Sequence, residues 1–226
     1  MKGLSNNQLK GIALVSMTLD HIGAYLLPQV VWLRIVGRLA FPVFAFMIAE
    51  GCSHTRNMGK YFATMGLFAL VCQIVDFLAT GSLYQSILVT FSLSIGLIWL
   101  LQQVRANGRL LWSALALAGI VGVYFLCQIL PGLLPGTDFS VDYGFIGVLV
   151  PLVVYLGKDK NQRLLYLLLA LTVLSTGLVK LQWYCLLAVP LLWLYNGQRG
   201  KWNLKWLFYI YYPAHLVAIY GISFLL

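Results

Sequence analysis

The chain reads as all-α: a polytopic helical membrane protein of about nine transmembrane helices, N-terminus inside and C-terminus outside. Three observations lead there. Of 226 residues, 61% are hydrophobic and 9% are charged, whereas a soluble domain carries about 25% charged residues. Apolar windows of about 20 residues, the length that crosses a bilayer as a helix, recur from end to end. The cations sit in alternate connections between those windows, as the positive-inside rule requires.

The spans are expected over 9–27, 31–51, 59–80, 84–103, 109–131, 143–157, 163–179, 181–196 and 205–225. The sixth to eighth are short, so tilted, broken or re-entrant segments fit them and the count runs from eight to ten. With the N-terminus cytoplasmic, the inner connections hold Arg56 and Lys60, then Arg105 and Arg109, then Lys158, Lys160 and Arg163, then Arg199, Lys201 and Lys205. The outer connections carry Asp138 and Asp142 and, among cations, only Lys180. The first apolar segment runs into the second without a small-residue cleavage site, so it reads as a span and not a signal peptide. One transmembrane domain over 1–226 is expected, with no separable soluble part.

The net charge of +9 is explained by topology. Nucleic acid is therefore not an expected partner, while membrane lipid is, and cytoplasmic Lys and Arg clusters suit anionic headgroups. Cys52, Cys72, Cys127 and Cys185 stand singly in or beside apolar segments, as small core residues do. No Gly-rich phosphate loop, HExxH, GxSxG or metal-ligand spacing occurs, so no metal is expected. Any chemistry would come from intramembrane His, Asp, Glu and Arg.

Those residues concentrate between Lys10 and Arg56. An ionisable side chain at membrane depth costs roughly 2.5–3.5 kcal/mol on insertion scales, which makes each one a candidate for function. Lys10 and His21 are eleven residues apart, about three turns, and so share one face of the first helix roughly 16 Å apart. Lys10 also reads as a snorkelling, topology-setting lysine. Asp20 and His21 read either as a polar clasp between helices or as a catalytic pair, His being suited to general base chemistry near neutral pH. Adjacent residues point about 100° apart on a helix, so Asp20 is not expected to hold the His21 ring by itself.

Arg34 and Arg38, one turn apart, share a face. They read as partners of Asp20 or Asp142, or as a cationic clamp for an anion or a developing oxyanion. Pro42 is expected to kink this span. Glu50 and His54 are also one turn apart, followed by Thr55, Arg56 and Asn57. This H-T-R-N turn suits a phosphorylated cytosolic ligand or, equally, a solvated helix end. Asp76, deep in the third span, reads as structural or functional alike. Asp142, before Tyr143, is a reasonable helix N-cap or a site residue. In the last span Tyr211, Tyr212, Pro213 and His215 bring a kink, phenols and an imidazole to mid-depth, whereas Trp202, Trp206 and Tyr209 read as interfacial belt.

At these residues the sequence resembles the TraX family, integral membrane proteins named for a conjugative-pilus pilin acetylase. The resemblance lies in L-K-G-I-A at 9–13, D-H-I-G at 20–23, W-L-R-I-V-G-R-L-A-F-P-V-F-A-F at 32–46, E-G at 50–51 and H-T-R-N at 54–57. It continues through V-T-F-S-L-S-I-G at 89–96, D-Y-G-x-x-G-V-L at 142–149 and Y-I-Y-Y-P-A-H-L at 209–216. TraX proteins are similar in turn to the acyltransferase-3 and heparan glucosaminide acetyltransferase group. Acyltransferase-3 proteins carry an arginine, ten residues and an essential histidine in their first span. Lys10 and His21 keep that spacing with lysine for arginine.

The resemblance implies acyl transfer in a bacterial cytoplasmic membrane, with acetyl-CoA as donor and a peptide N-terminus, glycan or small amine as acceptor. It makes His21 the catalytic base or an acyl-handling residue. In the mechanism read from the residues, Asp20, Arg34 and Arg38 would supply the electrostatics. Lys10, Glu50, His54, Arg56 and Asn57 would meet the donor, and Asp142, Tyr143, Tyr212 and His215 are further candidates. A proton-coupled transporter and a non-catalytic membrane scaffold are the rival readings.

Overall fold

The computed structural model describes residues 3–200, 205–223 and 225. Lys201 and Trp202 lie outside the described residues, as do the side chains of Lys205, Trp206 and Tyr209. Among the described residues the secondary structure is helical apart from two isolated bridges, Leu4 with Tyr195 and Gln85 with Val141. The helices are α1 Asn6–Tyr25, α2 Val31–Gly37, α3 Ala40–His54, α4 Met58–Thr80, α5 Ile87–Asn107, α6 Leu110–Tyr124, α7 Leu130–Leu133, α8 Gly144–Leu156, α9 Lys160–Thr176, α10 Ala188–Trp193 and α11 Lys205–Ser223. A π-helical turn, Phe125–Ile129, joins α6 to α7, and a 3₁₀ helix, Lys180–Leu187, leads into α10.

Among the described residues four stretches are long and apolar enough to cross a membrane: Val31–His54, Met58–Thr80, Ile87–Asn107 and Leu110–Leu133. The protein is an all-α membrane protein. The count of nine crossings and the N-in, C-out orientation are the reading of the loop charges. Exposed Leu67, Leu70, Ile74 and Leu78 on α4 and Leu110, Leu117 and Val121 on α6 form faces that a bilayer would solvate.

The chain divides into two compact units: Met1–Met47 with Lys160–Leu226, and Ile48–Asp159.

In the first unit, α1 starts at a capping box. The Ser5 hydroxyl accepts from the Gln8 amide, and the Gln8 side chain accepts from the Ser5 amide, which satisfies two amides that the first turn leaves open. Residues 4–7 are tied to the chain beyond α10 by Leu4 N–H to Leu194 O at 2.8 Å and Asn196 N–H to Leu4 O at 3.0 Å. The core takes Leu9 and Ala13 from α1, Phe46 from α3, Leu192 from α10 and the Leu164, Leu167, Leu171 and Leu174 stripe of α9, whose 3-4-3 spacing marks one helix face.

In the second unit, the Asn57 side chain caps α4 by accepting from the Lys60 amide at 2.8 Å, and Gly81 at φ 71° ends that helix. Helix α5 is central, burying Phe91, Ile95 and Ile98. Its Ser94 hydroxyl bonds the Thr90 carbonyl at 2.9 Å and the Val148 carbonyl of α8 at 2.8 Å, a polar link of the kind that holds membrane helices together.

Two expected features, the kink of the second span and the cap of α8, come out differently. The second span breaks at Arg38–Leu39, between α2 and α3, and not at Pro42. Pro42 falls in the first turn of α3, where its missing N–H would have had no intrahelical acceptor. The eighth span, read as short and open to a break, is a 3₁₀ helix followed by a short α-helix. The N-cap of α8 is Tyr143, at φ 59°, and not Asp142, whose carboxylate instead accepts from the Tyr84 hydroxyl at 2.6 Å.

Candidate functional site

Asp20 and His21 lie in the last turns of α1, against which α2 packs. Two glycines permit the close approach. A Cβ on Gly37 would overlap the Asp20 side chain, and a Cβ on Gly23 would come within 2.9 Å of Leu33 Cβ and 3.2 Å of the Arg34 stem. With hydrogen in those places, the Asp20 carboxylate reaches both Arg34 of α2 and Arg38 just beyond its end.

Arg38 Nη2 donates to Asp20 Oδ1 at 2.6 Å and also to Oδ2. Arg34 Nη1 donates to Asp20 Oδ2 and to the Asp20 backbone carbonyl, each at 3.0 Å. That second bond sets the Arg34 guanidinium on the peptide joining Asp20 to His21. Arg38 Nη1 donates to Gln182 Oε1 at 3.3 Å. Gln182 is 1% exposed, and its Nε2 is buried without a hydrogen-bond partner. Arginine stays protonated in proteins, so two guanidiniums on one carboxylate leave one net positive charge. The Asp20 side chain is 16% exposed and that of Arg38 11%, so bulk water screens this charge weakly.

Helix α11 packs on α1 and brings His215 to His21. His21 Nδ1 and His215 Nε2 are 2.8 Å apart, and the rings stack with centroids at 5.0 Å. His215 Nδ1 lies 2.9 Å from the Tyr211 carbonyl. Tyr211 stacks on His215 at 5.4 Å and Tyr212 meets it edge-on at 5.5 Å. The Tyr211 hydroxyl is fixed in turn by the Thr18 hydroxyl of α1 at 2.7 Å. Among the described residues His21 Nε2 has no hydrogen-bond partner.

Of the residues expected to act, Asp20, His21, Arg34, Arg38, Tyr212 and His215 therefore gather in the first unit. Lys10 lies in that unit too, three turns before His21 on α1.

Glu50, His54, Arg56, Asn57, Asp142 and Tyr143 lie in the second unit. There the His54 ring meets the Glu50 carbonyl at 2.9 Å and the Glu50 carboxylate at 3.8 Å, while Arg56 is exposed. The Asp142 backbone carbonyl accepts from the Thr90 hydroxyl at 2.7 Å. With the Tyr84 bond, this ties the start of α8 to the start of α5.

Sequence reasoning passed over Gln182, Thr18, Gly23 and Gly37. A lone amide in an apolar stretch was the available signal for Gln182. Among the described residues no three of His, Cys, Asp and Glu gather as metal ligands, and all four cysteines are free and buried.

The family model described as "TraX protein" matches residues 5–223. The chain is similar to the "Probable fimbrial assembly protein FimC, serogroup H1" of Dichelobacter nodosus. That match is 28% identical over 247 aligned residues and covers 94% of this chain and 93% of the relative. A short stretch is similar to an uncharacterized protein of Rickettsia prowazekii (strain Madrid E), 55% identical over 38 residues and covering 17% of this chain and 15% of that protein. No solved structure matches.

Proposed function

Because the chain belongs to the TraX family, we propose that it is an acyltransferase of the bacterial plasma membrane that moves an acetyl group from cytosolic acetyl-CoA to an amine or hydroxyl. The observation that supports this best is an imidazole with an unengaged nitrogen, His21 Nε2, next to a cluster holding one net positive charge. A base beside a preorganised cation is what acyl transfer needs.

His21 Nε2 takes the proton from the acceptor as its nitrogen or oxygen attacks the thioester carbonyl. Negative charge then develops on the thioester oxygen and is stabilised by the Arg34–Arg38 cluster, with the buried Gln182 Nε2 as a further donor. The C–S bond breaks, the CoA thiolate leaves, and the proton on His21 passes to the sulfur. Lys10, on the His21 face of α1, is placed to meet the donor, as the matching spacing in acyltransferase-3 proteins suggests. The fimbrial-assembly name of the full-length relative favours a peptide N-terminus over a glycan or small amine.

The test is acetyl transfer by the full chain in proteoliposomes, with His21→Ala beside wild type. Loss of transfer in a folded H21A protein supports the reading, and retained transfer contradicts it. The hydrogen-bonded histidines would also suit a proton-coupled carrier. Solute uptake by the same proteoliposomes without acetyl-CoA would mark that alternative.

A further inference from the structure

We propose that His215 fixes the tautomer of His21 so that Nε2 keeps its lone pair, and then accepts the proton that His21 takes up. This deepens the reading of His21 as the base and rests on it. It follows from the hydrogen-bond chain. A carbonyl oxygen only accepts, so the 2.9 Å contact between His215 Nδ1 and the Tyr211 carbonyl requires the hydrogen on His215 Nδ1.

In the neutral ring His215 Nε2 is then an acceptor, so at 2.8 Å His21 Nδ1 must be the donor. That leaves the lone pair of neutral His21 on Nε2, the nitrogen with no partner among the described residues. Left to itself, neutral imidazole would distribute its proton between the two nitrogens, and only one of those forms presents a base at Nε2.

The proton count closes. When His21 Nε2 takes a proton, its Nδ1 proton crosses to His215 Nε2. His21 is again neutral, now protonated on Nε2, and His215 carries the charge. Positive charge thus moves off the ring whose own peptide Arg34 holds and onto the ring carried by α11. The two protons move back when the leaving thiolate is protonated. His215 is therefore a positioning residue. Its orientation comes from the Tyr211 and Tyr212 rings, with Tyr211 pinned by Thr18.

The full chain holds three histidines, so ring ¹⁵N chemical shifts of histidine-labelled protein in lipid nanodiscs can be read singly. At neutral pH wild type should show His21 and His215 both protonated on Nδ1. His215→Phe should release His21 into mixed tautomers and lower acetyl transfer by about 10²-fold, the lower end of what a positioned base contributes. His215→Gln, whose Oε1 can still accept from His21, should keep the His21 tautomer and lose about tenfold, because it cannot take up the proton.

A wild-type His21 protonated on Nε2, or a His21 tautomer indifferent to H215F, would overturn the proposal. The shifts are read without any acyl donor. A locked pair in a chain that transfers no acetyl group therefore counts against the acyltransferase reading alone. Transfer by a chain whose His21 is protonated on Nε2 counts against the pair alone.

Discussion

Gly37 faces Asp20 so closely that a single added carbon would occupy the space of the carboxylate. The ion-paired cluster thus depends on a position that carries no side chain. Gly37→Ala should lower the stability of the detergent-purified protein by about 1–3 kcal/mol, the usual penalty for overpacking, and should lower acetyl transfer as well. Gly23→Ala should cost stability with less effect on transfer, because it presses on Leu33 and the Arg34 stem and not on the carboxylate. A G37A protein with wild-type melting and transfer would contradict this packing.

The Asp20 carboxylate sits between two guanidiniums. Asp20→Asn should cost about 3–5 kcal/mol, as breaking a buried pair does, because it removes the carboxylate that both guanidiniums bond. Arg34→Ala should cost less than Arg38→Ala. The Arg34 side chain is 30% exposed against 11% for Arg38, and Arg38 also serves Gln182. In a double-mutant cycle Arg38→Ala should partly rescue D20N, whereas additive losses would mean that the carboxylate stabilises something else.

This cluster shows which parts of the site were legible. Asp20, His21, Arg34 and Arg38 stood out because charges in apolar windows are costly, and Arg34 and Arg38 were already expected as possible partners of Asp20. The partner of His21 was not legible, since His215 is 194 positions away and nothing local marks the contact. Gln182 was hidden in a short span read as tilted, broken or re-entrant, which folds as a 3₁₀ helix with no 3.6-residue period to betray its inward side. Helix positions were clearest where apolar windows end in strong signals. The third span, expected over 59–80, is Met58–Thr80, with Asn57 before it and Gly81 after it. The second was misjudged because Pro42 drew attention from the real break four residues earlier, where α2 gives way to α3.

The connection between α7 and α8 offers a pH test. The Ser82 hydroxyl, and then the Leu83 amide at 2.8 Å, bond the Asp138 carboxylate and hold its pKa below the ordinary 3.8. A depressed carboxylate contributes stability that is present above its unfolded pKa and is lost as pH falls through the folded one. Thermal stability should therefore decline as pH drops below about 4, and Asp138→Ala should flatten that decline. An unchanged slope in D138A would show that these bonds do not hold in solution.

The H-T-R-N turn lets a capping role and a donor-binding role be tested residue by residue. Asn57→Ala should cost about 1 kcal/mol of stability through loss of the α4 cap. If this turn meets the phosphates of the donor, His54→Ala with Arg56→Ala should weaken stabilisation by acetyl-CoA while leaving the unliganded melting temperature unchanged. Equal stabilisation of that double variant and wild type would remove the turn from donor binding.

The most direct measurement is release of free CoA thiol from acetyl-CoA by the full chain in proteoliposomes, supplied in turn with a peptide amine, an amino sugar and a small amine. Wild type should release thiol with at least one acceptor, and a folded His21→Ala protein should do so about 10²-fold more slowly or worse. Equal release by wild type and H21A, or none by wild type with any acceptor, would contradict the assignment of His21 as the base of an acyltransferase.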